Sequence, residues 1–273
     1  MSVLSAFLSS NAPKDAEIAR PHLDLSGEVL TEALRAMVTG AEQHGGIEQY
    51  VAAVKLKSAA FQEAFADGAE ALEPERFLEL CAFMPTVRRR LAPYLDEAGF
   101  VRIRASLSAL LHGMEDVSSV DARIAGFCAR FPQNREHRFV RDLAAEVLHH
   151  LDSQRYPLMA RWVWDAKANT GVLREIWFAE DVDRMTIRVA DDYATFVALR
   201  RELSGFLAET GVFRDMPWYV DLLCAHVYGI YVGAHGGSYL RIDFSAPDQP
   251  LLHTSRMLGL DGGNVRGERH AHP

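Results

Sequence analysis

The apolar residues of this chain repeat with the period of an α-helix, and this repeat is the feature that most constrains its fold. The repeat is strongest between Trp218 and Tyr231, where apolar side chains recur at spacings of three and four residues. Similar but shorter patterns predict further helices that begin near Ser26, Ile47, Pro74, Phe100, Ser118 and Asn134. The first 150 residues are therefore predicted to form a helical domain of about six or seven helices.

The pattern changes in the C-terminal part of the chain. Met185–Val189 (MTIRV) alternates apolar and polar residues and is rich in β-branched side chains, which predicts a short strand. Tyr239–Phe244 (YLRIDF) predicts a second strand that pairs with the first. The expected fold class is mainly α, with a multi-helix N-terminal bundle followed by a smaller α+β part that contains one short two-stranded element.

These patterns divide the chain into four regions. Residues 1–24 lack sustained periodicity and are expected to form an N-terminal arm, while residues 25–154 form the helical domain. Residues 155–261 comprise an aromatic joint and the smaller α+β domain. Residues 262–273 contain almost no apolar side chains, which predicts a disordered tail.

Composition excludes several classes of function. The net charge of −8 argues against a surface built to neutralise nucleic-acid phosphates. The start of the chain lacks the basic and cleavage signals of a secretory leader, and no apolar run is long enough to span a membrane. The three cysteines are scattered and odd in number, which predicts reduced thiols. This pattern is not typical of a disulfide framework or of a zinc site. The sequence therefore predicts a cytoplasmic protein.

The stretch from Arg155 to Trp177 concentrates aromatic and charged residues. Arg161 and Asp165 are four residues apart, so they would pair on one face if the stretch were a helix that ends at Asn169. Two interpretations remain open, which are packing between the two halves and a site for a ligand or a partner. The candidate binding residues are Arg161, Trp164, Asp165, Asn169, Arg174, Glu175 and, from the apolar stripe further on, His226.

A candidate metal site and a candidate catalytic histidine each have a structural alternative. Glu146 and His149, with Asp142, have a spacing used by helical di-iron proteins, but no second Glu-x-x-His motif completes such a site. The three residues lie away from the apolar face of their helix, which predicts a solvated polar face. No metal site is therefore favoured and no cofactor is predicted, with a transition metal at these residues as the alternative. His226 is predicted to be a core histidine, with a ligand or general base as the alternative.

No common catalytic or phosphate-binding motif occurs in the sequence. The favoured hypothesis is a cytosolic accessory or protein-interaction subunit that acts with a partner enzyme. The alternative is an enzyme of unfamiliar type, with an interdomain pocket that performs acid–base or metal-assisted chemistry. That pocket would be lined by Arg161, Asp165, Asn169, Arg174, Glu175 and His226.

Overall fold

The computed structural model describes residues 21–235 and 250–263, and this part of the chain is mainly helical. It contains ten α-helices, which are α1 (Gly27–Glu42), α2 (Glu48–Ala64), α3 (Pro74–Ala82), α4 (Glu97–Leu111), α5 (Val120–Ala129), α6 (Phe139–Leu151), α7 (Val172–Glu175), α8 (Tyr193–Glu209), α9 (Met216–His235) and α10 (Pro250–Met257). The mainly α prediction is confirmed.

Local sequence signals set several of these helix boundaries. The hydroxyl of Ser26 caps α1 by accepting a hydrogen bond from the backbone N–H of Val29. Asp192 caps α8 in the same way, by accepting from the N–H of Thr195. Pro74 occupies the first turn of α3, where the missing N–H of proline costs no intrahelical bond.

Helix α2 joins two groups of helices. It packs against α6, which also contacts α4 and α5, and it packs against α9. Helix α9 in turn contacts α1, α7, α8 and α10. The buried apolar side chains form one continuous cluster that runs from Leu23 to Leu258. Residues from both predicted domains therefore contribute to the same core.

The predicted strand at Met185–Val189 is wrong. The segment forms no ladder with another segment of the described chain, and its backbone is bonded by side chains instead. The carboxamide of Asn169 and the guanidinium of Arg174 both donate to the carbonyl of Met185. Alternation of apolar and polar residues indicates a strand only where a neighbouring backbone can form hydrogen bonds with the segment. Here the side chains of Asn169 and Arg174 form those hydrogen bonds instead. The second predicted strand, residues 239–244, lies outside the described residues.

The aromatic stretch is also not helical between residues 156 and 171. Trp162, Val163 and Trp164 are consecutive and all buried, which no surface helix permits. The chain instead forms a tight loop closed by mutual backbone hydrogen bonds between Asp165 and Thr170, of 3.0 and 3.3 Å. Gly171 follows with φ of 126°, and a Cβ there would lie 2.7 Å from the carbonyl oxygen of Val163. This loop needs glycine at that position.

Both ends of the described chain have ordered contacts. Leu23, in the predicted N-terminal arm, is buried, and the carbonyl of Asp24 accepts a 2.8 Å hydrogen bond from the N–H of Phe178. Gly262 and Gly263, from the predicted tail, belong to a short 3-10 turn, and residues 264–273 lie outside the described part. No described helix combines the length and the apolar character that crossing a membrane requires.

Candidate functional site: a basic cleft beside helix α6

A cleft of about 720 Å³ lies between the N-terminal end of α6 and the loop of residues 161–168. Its charged lining side chains are mostly cationic. They are Arg135, Arg138, Arg141, Arg161 and Lys167, against the two carboxylates of Asp165 and Asp191. The lining has five cationic groups against two acidic ones, and Asp142 behind the lining neutralises Arg161, so two positive charges are left without counter-charges in a chain whose net charge is −8.

The first wall of the cleft is built by the turn that leads into α6. The side-chain oxygen of Asn134 accepts hydrogen bonds from the backbone N–H groups of Glu136 and His137, which starts a 3-10 turn over Arg135–His137. The turn continues into α6, so arginines three residues apart are brought to the same wall. Arg138, Val140 and Arg141, at the start of α6, line the cleft, so the positive end of the helix dipole lies beside it.

The second wall is anchored by a buried carboxylate. Asp142 of α6 accepts hydrogen bonds of 2.9 Å from both the backbone N–H and the guanidinium of Arg161. Burial raises the pKa of Asp142, and the charge of Arg161 opposes that rise. The Nε atom of Arg161 is buried and has no hydrogen-bond partner among the described residues. Arg161 is thus held in place by α6 while it lines the cleft.

Three of the five cationic side chains are already paired with acids. Arg138 forms an ion pair with Asp165, and Arg141 forms one with Asp191. Arg161 pairs with Asp142 at 2.9 Å and lies 3.8 Å from Asp165. Arg135 and Lys167 are exposed, and in the described part of the chain neither has an acidic partner. These two groups are the ones free to bind an anion.

The structure places the other predicted binding residues elsewhere. Trp164 is buried, and its indole N–H donates to the carbonyl of Val189 at 3.1 Å. Asn169 and Arg174 hold the backbone of residues 182–187, and Glu175 lies in the short helix α7. Of the residues predicted from the aromatic stretch, Arg161 and Asp165 line the cleft.

His226 belongs to α9 and lies in the core against α10. Its Nδ1 atom is 3.1 Å from the hydroxyl of Thr254, and its Nε2 atom has no partner among the described residues. Burial lowers the pKa of His226 to about 4. His226 does not line the cleft and is therefore not brought together with Arg161 and Asp165.

The predicted solvated face of α6 is wrong, because Asp142, Glu146 and His149 are all buried. Each has a partner from another element. Asp142 pairs with Arg161, Glu146 accepts from the ammonium of Lys57 at 2.8 Å, and His149 lies 2.8 Å from the carboxylate of Asp221. Helix α6 is enclosed on nearly every side, so its polar face is covered by counter-charges from its neighbours. No group of three or more residues suited to holding a metal occurs within the described ranges.

A buried network of polar side chains connects α2 with α6. The hydroxyl of Ser58 lies 2.7 Å from Nδ1 of His150, whose Nε2 lies 3.1 Å from Glu146. Serine, histidine and carboxylate also occur in acyl-transfer sites, but there the serine contacts Nε2 and the acid contacts Nδ1. Here the contacts are reversed and Lys57 neutralises the carboxylate. All four side chains are at most 3% exposed, so this network is structural.

Sequence reasoning missed Arg135, Arg138, Arg141 and Lys167. The three arginines recur every third residue, which at the start of a helix brings side chains to one face, so this spacing was a usable signal. Lys167 carried no comparable signal, because its position depends on the loop that replaces the expected helix. No protein-family model, curated protein or solved structure matches this chain at a significant level.

Proposed function

We propose that this protein is a cytoplasmic accessory protein that binds an acidic group of a partner in its basic cleft. The observation that carries the proposal is the presence of two cations without acidic partners, Arg135 and Lys167, in one cleft of an otherwise acidic chain. Two like charges without counter-charges in one cleft repel each other, which costs free energy. A bound anion would remove that cost.

The chemistry of the lining favours binding over catalysis. Guanidinium groups bind carboxylate and phosphate oxygens in fork geometry, and they do not exchange protons near neutral pH. The one thiol in the lining, Cys128, has its pKa raised by burial, which disfavours the reactive thiolate. The interdomain enzyme would need His226, Asn169 and Arg174 around one cavity with Arg161, and the cleft is not lined by those three. Binding is therefore the function that we propose.

A titration with an acidic peptide tests this proposal. We expect a fluorescent deca-glutamate peptide to bind at low ionic strength. A double variant, Arg135→Ser with Lys167→Ser, should weaken that binding about tenfold, since each exposed ion pair contributes up to about 1 kcal/mol. Both side chains are exposed and lack acidic partners in the described structure, so the variant should keep its melting temperature.

The matched control removes two exposed arginines from other surfaces, Arg90→Ser with Arg201→Ser. Its net charge equals that of the cleft variant, so long-range attraction is reduced equally. The proposal predicts that the control keeps most of the affinity. Equal losses in the two double variants would show that the peptide senses only overall charge, and the proposal would then fail.

A further inference from the structure

We propose that the anionic group bound by the cleft is a phosphate monoester and not a carboxylate. This inference rests on the function proposed above and specifies the chemistry of its ligand. It follows from how the cationic side chains of the cleft are already engaged, from which of them are free, and from the helix end that lies beside them.

The cleft already supplies carboxylates to three of its own arginines. Asp165 pairs with Arg138, Asp191 with Arg141 and Asp142 with Arg161. A ligand carboxylate that approached one of these arginines would only replace a carboxylate that is already positioned. The exchange adds no charge and no acceptor oxygen, and it costs the ligand its freedom of motion. These pairs therefore give a simple carboxylate no gain, and it can gain only at Arg135 and Lys167.

The free cations lie on the two walls of the cleft. Arg135 belongs to the turn before α6, and Lys167 belongs to the loop closed by Asp165 and Thr170. A group that satisfies both walls needs several acceptor oxygens and more than one negative charge. A phosphate monoester has three terminal oxygens and a charge between about −1.5 and −2 at neutral pH. A carboxylate has two oxygens and one charge.

The end of α6 adds a second, independent contribution. Val140 and Arg141, in its first turn, line the cleft, and the only side-chain cap nearby is Asn134, which bonds the turn before α6 and leaves the first turn of α6 itself without a cap. Helix N-termini carry a partial positive charge and backbone N–H donors, a combination suited to phosphate. The arginines and the helix end thus favour the same kind of ligand.

Two sources could supply this chemistry. One is a small phosphorylated molecule, since the cleft volume of about 720 Å³ falls in the range of small-molecule pockets. The other is a phosphorylated side chain of the proposed partner protein. Both present the same phosphate monoester to Arg135 and Lys167, so the recognition chemistry is common to them.

The test compares three probes that share one apolar ring. Phenyl phosphate, phenyl sulfate and benzoate are titrated into the full-length protein by isothermal calorimetry. We expect phenyl phosphate to bind at least tenfold more tightly than benzoate, with phenyl sulfate between them because it has three oxygens but one charge. The Arg135→Ser, Lys167→Ser variant should lose the phosphate preference, and Lys167→Glu alone should lose most of it.

A further arm separates the two sources. A phosphoserine decapeptide is compared with phenyl phosphate and with the same peptide carrying glutamate. Tighter binding of the phosphopeptide supports a phosphorylated partner, and equal binding supports a small phosphate; either result supports the inference. Equal affinities for benzoate and phenyl phosphate would overturn it, as would a phosphate preference that survives in the cleft variants.

This outcome can be told apart from failure of the proposed function. If the deca-glutamate peptide binds in the cleft but no phosphate preference appears, only the phosphate inference fails. If neither the acidic peptide nor the phosphates bind, the anion-binding function itself fails.

Discussion

His149 and His150 are neighbours on α6, and the protein shifts their pKa values in opposite directions. Burial acts to lower the pKa of His149, but the Asp221 carboxylate 2.8 Å away raises it above the usual value. For His150, burial lowers the pKa well below the usual value, and the charge of Lys57 lowers it further. His149 is therefore stabilised as a cation and His150 as a neutral ring.

The two shifts affect stability on opposite sides of the ordinary histidine pKa. His150 takes up a proton more readily in the unfolded chain, so its contribution to stability is lost as the pH falls below about 6.5. His226, whose pKa burial lowers to about 4, acts in the same direction. His149 holds its proton more strongly in the folded chain, so its contribution is present below about pH 6.5 and is lost as the pH rises through its raised pKa.

The substitution His150→Gln tests this assignment. Glutamine can still bond to Ser58 and Glu146, but it does not titrate, so the loss of stability on acidification should become shallower. We expect the free energy of unfolding to fall by about 2 kcal/mol less between pH 7 and pH 5 than in the natural chain. Urea denaturation at a series of pH values measures this. His112→Gln, at an exposed histidine, is the matched control.

An unchanged pH dependence in His150→Gln would show that folding does not lower the pKa of His150. If the control His112→Gln flattened the curve equally, the acid sensitivity would belong to histidines in general. Either result would contradict the assignment of the acid sensitivity to His150.

The charged residues of α6 show where sequence reasoning failed at this scale. Asp142, Glu146 and His149 lie off the apolar stripe, and such residues usually face solvent. Their counter-charges come from Lys57, Arg161 and Asp221, which are remote in the sequence. The sequence of α6 does not show that these partners lie close to it. The burial of its charged residues could therefore not be predicted from the pattern of α6 alone.

At the scale of elements, the side chains around Met185–Val189 replace a missing strand partner. Arg174 donates to the carbonyls of Met185, at 3.0 Å, and of Val182, at 2.6 Å. Asn169 bonds both the carbonyl of Met185 and the N–H of Ile187. Residues 182–189 therefore depend on two side chains of the aromatic stretch for their conformation.

Replacement of Arg174 by alanine should destabilise this segment. Hydrogen bonds from a charged donor contribute roughly 1.5–3 kcal/mol, so we expect the free energy of unfolding to fall by about 2 kcal/mol. Amide hydrogen exchange should become faster at residues 182–189. Arg188→Ala, an exposed arginine within the same segment, should change neither quantity appreciably. If Arg174→Ala changed neither the stability nor the amide exchange, a structural role for Arg174 would be contradicted, and Arg174 would again be a candidate binding residue.

Helices were predicted better than the other elements for a physical reason. Their signals are local, since a cap such as Ser26 or Asp192 bonds to its own helix and an apolar stripe needs only one side to pack against. A strand needs a distant partner, and a loop such as residues 165–170 depends on neighbours that the sequence does not show to be close. Arg161 and Asp165 were found, but their setting was wrong because the expected helix is a loop.

At the scale of the whole molecule, α2 ties the two predicted domains into one core. It contacts both α6 and α9, and the ammonium of its Lys57 donates to the carbonyl of Leu258, near the end of the described chain. The predicted boundary near residue 154 separates two stretches of sequence. The contacts of α2 predict that those stretches unfold together.

Two optical probes can test this. All four tryptophans lie between residues 162 and 218, so their fluorescence reports on the C-terminal part, whereas far-UV circular dichroism reports on helices throughout. We expect the two urea transitions to coincide. Val54→Ala, which removes a buried side chain of α2, should lower both midpoints together through a loss on the order of 2 kcal/mol. A shift of the dichroism transition alone would support two independent domains.

The enclosed position of α6 also affects how the chain is made. Its charged side chains need Lys57, which is synthesised earlier, and Asp221, which follows His149 by 72 residues. Ribosomes add roughly 5–20 residues per second, so His149 waits roughly 4 to 14 s for its carboxylate. During that interval His149 lacks its carboxylate partner, although Lys57 is already available to Glu146. Completion of the fold is therefore a late event in synthesis, and a chain truncated before α9 lacks the carboxylate that His149 requires.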